Sequence, residues 1–346
     1  MRRRLLLAAA LAAAASLPAA RAAAQPGLVL GVDDDSLKWY SHTYSLVSIY
    51  RTLGIGAVRV TLDYPPDRTE RTELQRIATA GRSLRVVLAV TGSPTAPPLD
   101  QPSRDAYCAY VAGILRRYPF VHDVAIWTEP NSSTFWQPQR GAAGAYEALL
   151  ATCWDAIHAV QPAANVIATS APHARPGDWY VGIGKAYRAS GRTAPILDTV
   201  GHNAYPQDSA ESPGAHHRHA IDEGDLDRLA KALKHAFGAV PPIWYLEDGF
   251  QSESGPSLLY SGAETDRRPV SEEVQAAQLA AAVRLAYCQA GVAGFFNFEL
   301  RDDPSLAGWQ SGLLRPDWSA KPAFAAYQEA IAAAAAGTVA CSQVHK

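Results

Sequence analysis

The sequence lacks any surplus of basic charge: 31 lysines and arginines face 33 aspartates and glutamates over 346 residues. A chain that neutralises nucleic-acid phosphates or an anionic membrane surface needs such a surplus, so neither is an expected partner. Cysteine is scarce as well. The four present, Cys108, Cys153, Cys288 and Cys341, never stand at the paired spacing of a zinc or iron–sulfur site. No glycine-rich phosphate loop follows the first strand-like run, where "GVDDDSLKWY" instead places three aspartates, poor company for a pyrophosphate. There is no Gly-x-Ser-x-Gly, which removes the nucleophile elbow of a serine hydrolase. No linker-like stretch and no internal repeat divides the chain.

What is present begins with "MRRRLLLAAALAAAASLPAARAAAQPG", which has the charged start, Ala/Leu run and small-residue end of a secretory signal. The expected cleavage follows Ala24, and the arginine cluster is compatible with the twin-arginine route. Residues 1–24 carry four arginines and no acid. The remaining 25–346 therefore has 27 basic and 33 acidic residues, a formal charge of −6. A secreted, periplasmic or cell-surface protein is expected, free of the membrane after cleavage. In such a compartment four cysteines suggest two disulfides. Three pairings are possible. Cys108–Cys153, joining two consecutive helices, and Cys288–Cys341, tying down the tail, are favoured.

Short runs dense in Val and Ile recur at 27–32, 57–62, 85–90, 123–128, 165–170, 197–205, 242–248 and 291–299. They are continuous, not alternating, as in strands covered on both faces. Helical patterns separate them, at 44–54, 72–83, 103–118, 143–160, 178–190, 224–238 and 271–291, with the alanine run before Gly337 as a last helix. Ser103 and Ser271 stand where N-caps are expected. Eight such units over residues 25–346 predict an α/β protein, a single-domain (β/α)8 barrel. Two connections, 206–224 and 250–270, are unusually long and follow strands, which puts them over the barrel mouth.

In such a barrel the C-terminal strand ends surround one site. "VHDVAIWTEPNSSTFW" ends the fourth strand on Glu129, and "PIWYLEDGF" ends the seventh on Glu247. Strands four and seven lie on roughly opposite arcs of the ring, so the two carboxyls can face each other across a sugar-sized gap. That is the arrangement of double-displacement glycoside hydrolysis.

Here the motifs resemble those of the clan A glycoside hydrolases, near families 39 and 5. "WTEPN" is similar to their Asn-Glu-Pro signature and "WYLEDGF" to their seventh-strand Glu-x-Gly-Trp/Phe. "HNAYP" resembles the sixth-strand His-x-Tyr-Pro, "FFNFELRDDP" the eighth strand, and "GLLRPDWSAKPAFAAYQ" the closing segment. The resemblance implies a retaining O-glycosyl hydrolase without cofactor or metal. In it Glu129 is the acid/base, Glu247 the nucleophile, Tyr205 a hydrogen-bond partner of Glu247, and Arg59 a positive charge beside it. Two departures concern the substrate. Thr128 replaces the asparagine that precedes the acid/base and grips the sugar 2-hydroxyl, and Asn203 stands where a histidine is usual. Either Asn203 reaches in to compensate, or the substrate differs at C2, or activity is low.

Further substrate contacts are expected from Asn131 in the same motif, from Asp34 within the Asp33–Asp35 run, and from Glu299 at the eighth strand end. Stacking platforms for sugar rings are expected among Trp136, Trp179, Tyr205, Phe250 and Trp309. His216, His217 and His219 crowd one loop. No carboxylate or further histidine shows the ordered spacing of a catalytic zinc site, so no metal is expected. The partner is then a polysaccharide or glycoside and the protein a monomer. The alternatives are a barrel that binds carbohydrate without cleaving it, and a transglycosylase.

Overall fold

The computed structural model describes residues 27–341 apart from 254, 256, 257 and 267; the expected signal segment and its cleavage point lie outside the described residues. Eight strands alternate with helices. In order they are β1 (Val29–Asp33), α1 (Ser36–Trp39), α2 (Thr43–Leu53), β2 (Ala57–Tyr64), α3 (Glu70–Ala80), β3 (Arg85–Gly92), α4 (Gln101–Arg117) and β4 (Asp123–Ile126). Then follow α5 (Ala142–Val160), β5 (Asn165–Ser170), α6 (Pro176–Ala189), β6 (Thr199–Asn203), α7 (Leu226–Phe237), β7 (Ile243–Asp248), α8 (Glu272–Cys288), β8 (Val292–Phe298) and α9 (Pro322–Ala335). Each strand pairs in parallel with the next, and β1 pairs with β8, closing the barrel. All eight strands coincide with the Val/Ile-dense runs, because only a strand buried on both faces has use for apolar side chains at every position.

Two apolar clusters divide the protein. A small one fills the barrel: Ala57, Val87, Ala89, Ala125, Ile167, Trp244, Leu246 and Phe296. Its residues are mostly small because Trp244 and Phe296 stack inside it, ring centroids 5.9 Å apart. Gly294 makes room for the tryptophan; a Cβ there would come within 2.8 Å of the indole. The larger cluster lies between strands and helices.

The helix ends follow local chemistry. Gly238 closes α7 with φ 79°, a left-handed cap that a Cβ would penalise. Ser271 caps α8 by accepting from Val274 N. Ser103, in contrast, is not an N-cap. The helix begins two residues earlier, Asp100 caps it, and Ser103 is the reciprocal member of a capping box. A proline at the second position of α4 is tolerated because its missing N–H has no intrahelical acceptor anyway.

Disulfides join Cys108 to Cys153, linking α4 to α5, and Cys288 to Cys341, fastening the segment after α9 to α8. Among the described residues no helix is long and apolar enough to cross a membrane.

Candidate active site

The barrel mouth opens into a cleft of about 720 Å³ that contains both expected acids, Glu129 and Glu247, together with Arg59 and Tyr205. Its floor is an ion network. Arg59 lies on β2 in register with Asp33 on β1, and its Nη1 pairs with Asp33 Oδ2. The other end of the guanidinium, Nη2, stands 2.9 Å from Glu247 Oε1. Tyr205 donates its hydroxyl to Glu247 Oε2 at 3.0 Å. Both oxygens of Glu247 are thus engaged by donors, one of them cationic, which fixes the direction of the side chain. Burial works against the charge of Arg59, but Asp33 and Glu247 outweigh it and raise its pKa. Asp33 is driven well above the usual carboxylate range by burial, against the lowering effect of Arg59.

Strict alternation along β7 would not aim Glu247 this way. Trp244 and Leu246 point into the barrel, and Tyr245 points outward to donate to Gln289, the residue that ends α8. The next inward residue after Leu246 would be Asp248. The pairing of β7 slips against both neighbours, so that Asn203 on β6 faces Glu247 directly. An irregularity of this kind re-aims a side chain at the end of a strand. Here it turns Glu247 to the axis and leaves Asp248 buried outside the barrel wall.

Glu129 is held differently. It follows β4, whose regular part ends at Ile126, two residues short of the expected strand, because Trp127 adopts φ 63°. Glu129 itself has φ 41°. Left-handed backbone at bulky residues is costly and is kept only where the surroundings enforce it. Trp127 is fully buried; its N donates to the phenol oxygen of Tyr107, its Nε1 donates to Phe135 O, and its O accepts from Thr169 Oγ1. The carboxyl so delivered receives one hydrogen bond, from Asn203 Nδ2 to Oε1 at 2.7 Å. Burial first and the negative charge of Glu247 second push its pKa up to about 7, against the Asn203 hydrogen bond and the charge of Arg59. Two carboxyls in one cleft therefore differ in environment: one locked to a cation and a phenol, the other to a neutral amide.

Of the other expected contacts, Thr128 lines the cleft, and its Oγ1 is buried without a partner. Trp309 also lines it, 39% exposed, with its ring 5.1 Å from that of Tyr205 and edge-on to Phe298 at 5.4 Å. Asn203 bonds Glu129 and so does enter the site.

Several residues stand elsewhere. Trp136 is not at the mouth: it is fully buried, edge-on to Trp127 and Tyr146, where it wedges the turn after Glu129. Trp179 leans on Tyr146 in the same layer. Phe250 turns into the core, 1% exposed. Asn131 is spent on backbone, donating to Ala171 O and Ala174 O and accepting from Ala171 N, and so ties the β4 loop to the β5 loop. Asp34 accepts from Tyr50 and from Ser36 N, away from the cleft, and Asp33 is the member of the aspartate run that reaches it. Glu299 lies outside the cleft lining; burial, and then the charges of Asp34 and Asp33, push its pKa up to about 9.

The cleft also draws on residues not singled out in the sequence: Thr61, Thr91, Phe135, His173 and Phe298, with Gln207, Asp208 and Ser209 from the long connection after β6. Thr61 and Thr91 lie on the same strand faces as Arg59 and Ala89, so continued alternation carried that signal.

In fold the chain is similar to solved glycoside hydrolases. A GH2 β-galacturonidase from Eisenbergiella tayi superposes with a TM-score of 0.59 at 12% identity, over 90% of this chain and 51% of its own. A fungal β-1,4-galactanase gives 0.63 at 16% identity, over 87% of this chain and 99% of its own. A GH39 β-xylosidase from Caulobacter crescentus gives 0.61 at 17% identity, over 88% and 72%. The chain thus spans about half the length of the galacturonidase. No family model matches it, and no curated protein sequence does either. At these identities the likeness is one of architecture, the (β/α)8 barrel.

Proposed function

We propose that the chain is a retaining glycoside hydrolase that cleaves O-glycosidic bonds of a polysaccharide or glycoside by double displacement. The observation that carries the reading is the asymmetry of the two glutamates. Glu247 is gripped by Arg59 and Tyr205, whereas Glu129, in the same cleft, has a pKa near 7. An acid that is still protonated close to neutrality, beside a carboxylate aimed by fixed donors, is the pair this chemistry needs.

In the first step an oxygen of Glu247 attacks the anomeric carbon while the bond to the leaving oxygen breaks. That oxygen takes the proton of Glu129. In the second, Glu129, now a carboxylate, takes a proton from water, whose oxygen attacks the same carbon and releases Glu247. Two inversions leave the configuration retained. Arg59 and Tyr205 position Glu247 throughout, and Thr128 lines the cleft next to Glu129. Trp309, half-exposed at the rim, offers a face for a ring to stack on.

A neutral sugar fits best. Arg59 is the cleft's one Arg or Lys among the described residues, and Asp33 and Glu247 already occupy it. A uronic acid would find no cation to spare in the cleft lining. Export accords with the two disulfides, which persist in oxidising compartments.

A panel of aryl glycosides, with the first-formed anomer followed by proton NMR, tests the reading. Retained configuration and loss of turnover in Glu129→Gln and Glu247→Gln are expected. Inverted product, or hydrolysis undiminished in Glu247→Gln, would refute it. Binding of sugars with no turnover on any substrate would point to a carbohydrate-binding barrel, and transfer to added acceptors to a transglycosylase.

A further inference from the structure

We propose that Glu211, His217 and Asp222 form a binding site for one divalent transition-metal ion, of the zinc class, that pins the connection after β6 against the wall of the cleft. The three residues stand at i, i+6 and i+11 in an irregular segment, a spacing that no helix or strand periodicity brings together. The folded connection nevertheless gathers one donor atom from each within 4.8 Å of the others. His217 Nε2 lies 2.7 Å from Asp222 Oδ2 and 3.1 Å from Glu211 Oε2.

Distances like these suggest an ion pair, but the angles do not complete one. Nε2 of His217 has no hydrogen-bond partner, since neither oxygen stands in front of the ring nitrogen. Both oxygens of Asp222 are likewise without a donor, although the residue is only 3% exposed. A buried carboxylate without donors keeps its full desolvation penalty. Three donor atoms that crowd together without pointing at one another's hydrogens have lone pairs free for one cation. Two carboxylates would also cancel the charge of a dication, with a neutral imidazole completing the set.

The donor set selects the ion. Calcium and magnesium take oxygen ligands, and an imidazole nitrogen favours zinc and its first-row neighbours. At ligand distances of about 2.0–2.2 Å, two ligands of a tetrahedral zinc stand roughly 3.4 Å apart. The observed 2.7 and 3.1 Å open to that by a small rotation of the two carboxylates. Outer contacts already hold two ligands in place: the backbone N of His217 donates to Asp225 Oδ2, and Glu211 Oε2 accepts from Gln207 N. Gln207, Asp208 and Ser209 line the cleft, so an ion at this point would stiffen its wall without touching the two catalytic glutamates.

The experiment uses untagged protein, stripped with a chelator, reloaded with zinc chloride and passed through gel filtration. Metal analysis should find one zinc per chain, and a melting curve should shift upward with zinc. Competition with a chromophoric chelator should show affinity falling at least about tenfold in His217→Gln and in Asp222→Asn. His219→Gln, an exposed histidine of the same loop outside the cluster, should bind as the parent does. Should the first two variants fail to fold, Glu211→Gln, on a partly exposed side chain, gives the same reading. Absence of stoichiometric zinc from the parent, or unchanged zinc affinity in the folded ligand variants, would overturn the proposal and leave a cluster of buried charges only.

Discussion

Asn203 Nδ2 donates to Glu129 Oε1 at 2.7 Å, and directly across the β6–β7 pairing Asn203 stands in register with Glu247. Its side chain thus touches the acid proposed to carry the proton, while its backbone pairs with the strand that carries the other. Its hydrogen bond favours the ionised form of Glu129 and opposes the burial that raises the pKa to about 7.

Asn203→Ala removes that opposition, so the pKa of Glu129 moves further up. Since the ionised acid cannot protonate a leaving group, the alkaline limb of kcat/KM should shift to higher pH. The pH–rate profile of the variant checks this; a limb that stays put or moves down contradicts it.

Glu129→Gln should lower kcat by about 10²–10⁴-fold on substrates with poor leaving groups. The loss should be much smaller on activated aryl glycosides, which need no proton. Glu247→Gln should abolish turnover on both. A leaving-group series with each variant separates the two roles.

The same acid makes stability depend on pH. Glu129 titrates near 4.5 in an unfolded chain and near 7 in the fold, so between those values the folded state holds the extra proton. Stability contributed by that proton is present at low pH and is lost as pH rises through about 7. Glu129→Gln carries no such charge. Its stability relative to the parent should therefore improve from pH 5 to pH 8, by roughly 1–3 kcal/mol. Urea unfolding at the two pH values measures the difference, and a variant that loses stability relative to the parent between them refutes it.

The disulfides close loops of 45 and 53 residues. Chain entropy assigns each about 4 kcal/mol, and removal of a native bridge typically costs about 2–5 kcal/mol. Cys288→Ser with Cys341→Ser should destabilise the protein by that order while leaving KM unchanged, because neither cysteine lines the cleft. Denaturant titration with parallel kinetics tests both halves.

Trp309→Ala should raise KM by about tenfold, or ~1.4 kcal/mol of lost binding, with little change in kcat. Steady-state kinetics on an oligosaccharide is the measurement. Equal loss in kcat would mean that the ring supports Tyr205, which it touches, more than it binds sugar.

The strands, the two glutamates at their ends, Arg59 and Tyr205 were all legible in the chain. Eight apolar runs separated by helical patterns can bury themselves in few ways, and a barrel gathers whatever stands at the strand ends. The choice among neighbours was not legible. Asp33 and Asp34 differ by one position, and the register of β1 with β2 sends one to Arg59 and the other to Tyr50. Trp136 and Phe250 read as rim aromatics but fold back inside, because the loops that carry them bury large apolar surface at the first opportunity. Glu211, His217 and Asp222 share no periodicity, so only the path of an irregular connection could bring them together.

By itself, then, the chain determined the barrel and the identity of the acids at its mouth, since strand and helix preferences are written in the nearest few residues. Tertiary structure alone decided which way Glu247 points, through a slip of pairing against two other strands, and which acid holds its proton near neutrality. Pairing register and desolvation belong to the surroundings that distant segments build around a residue, and no local stretch contains them.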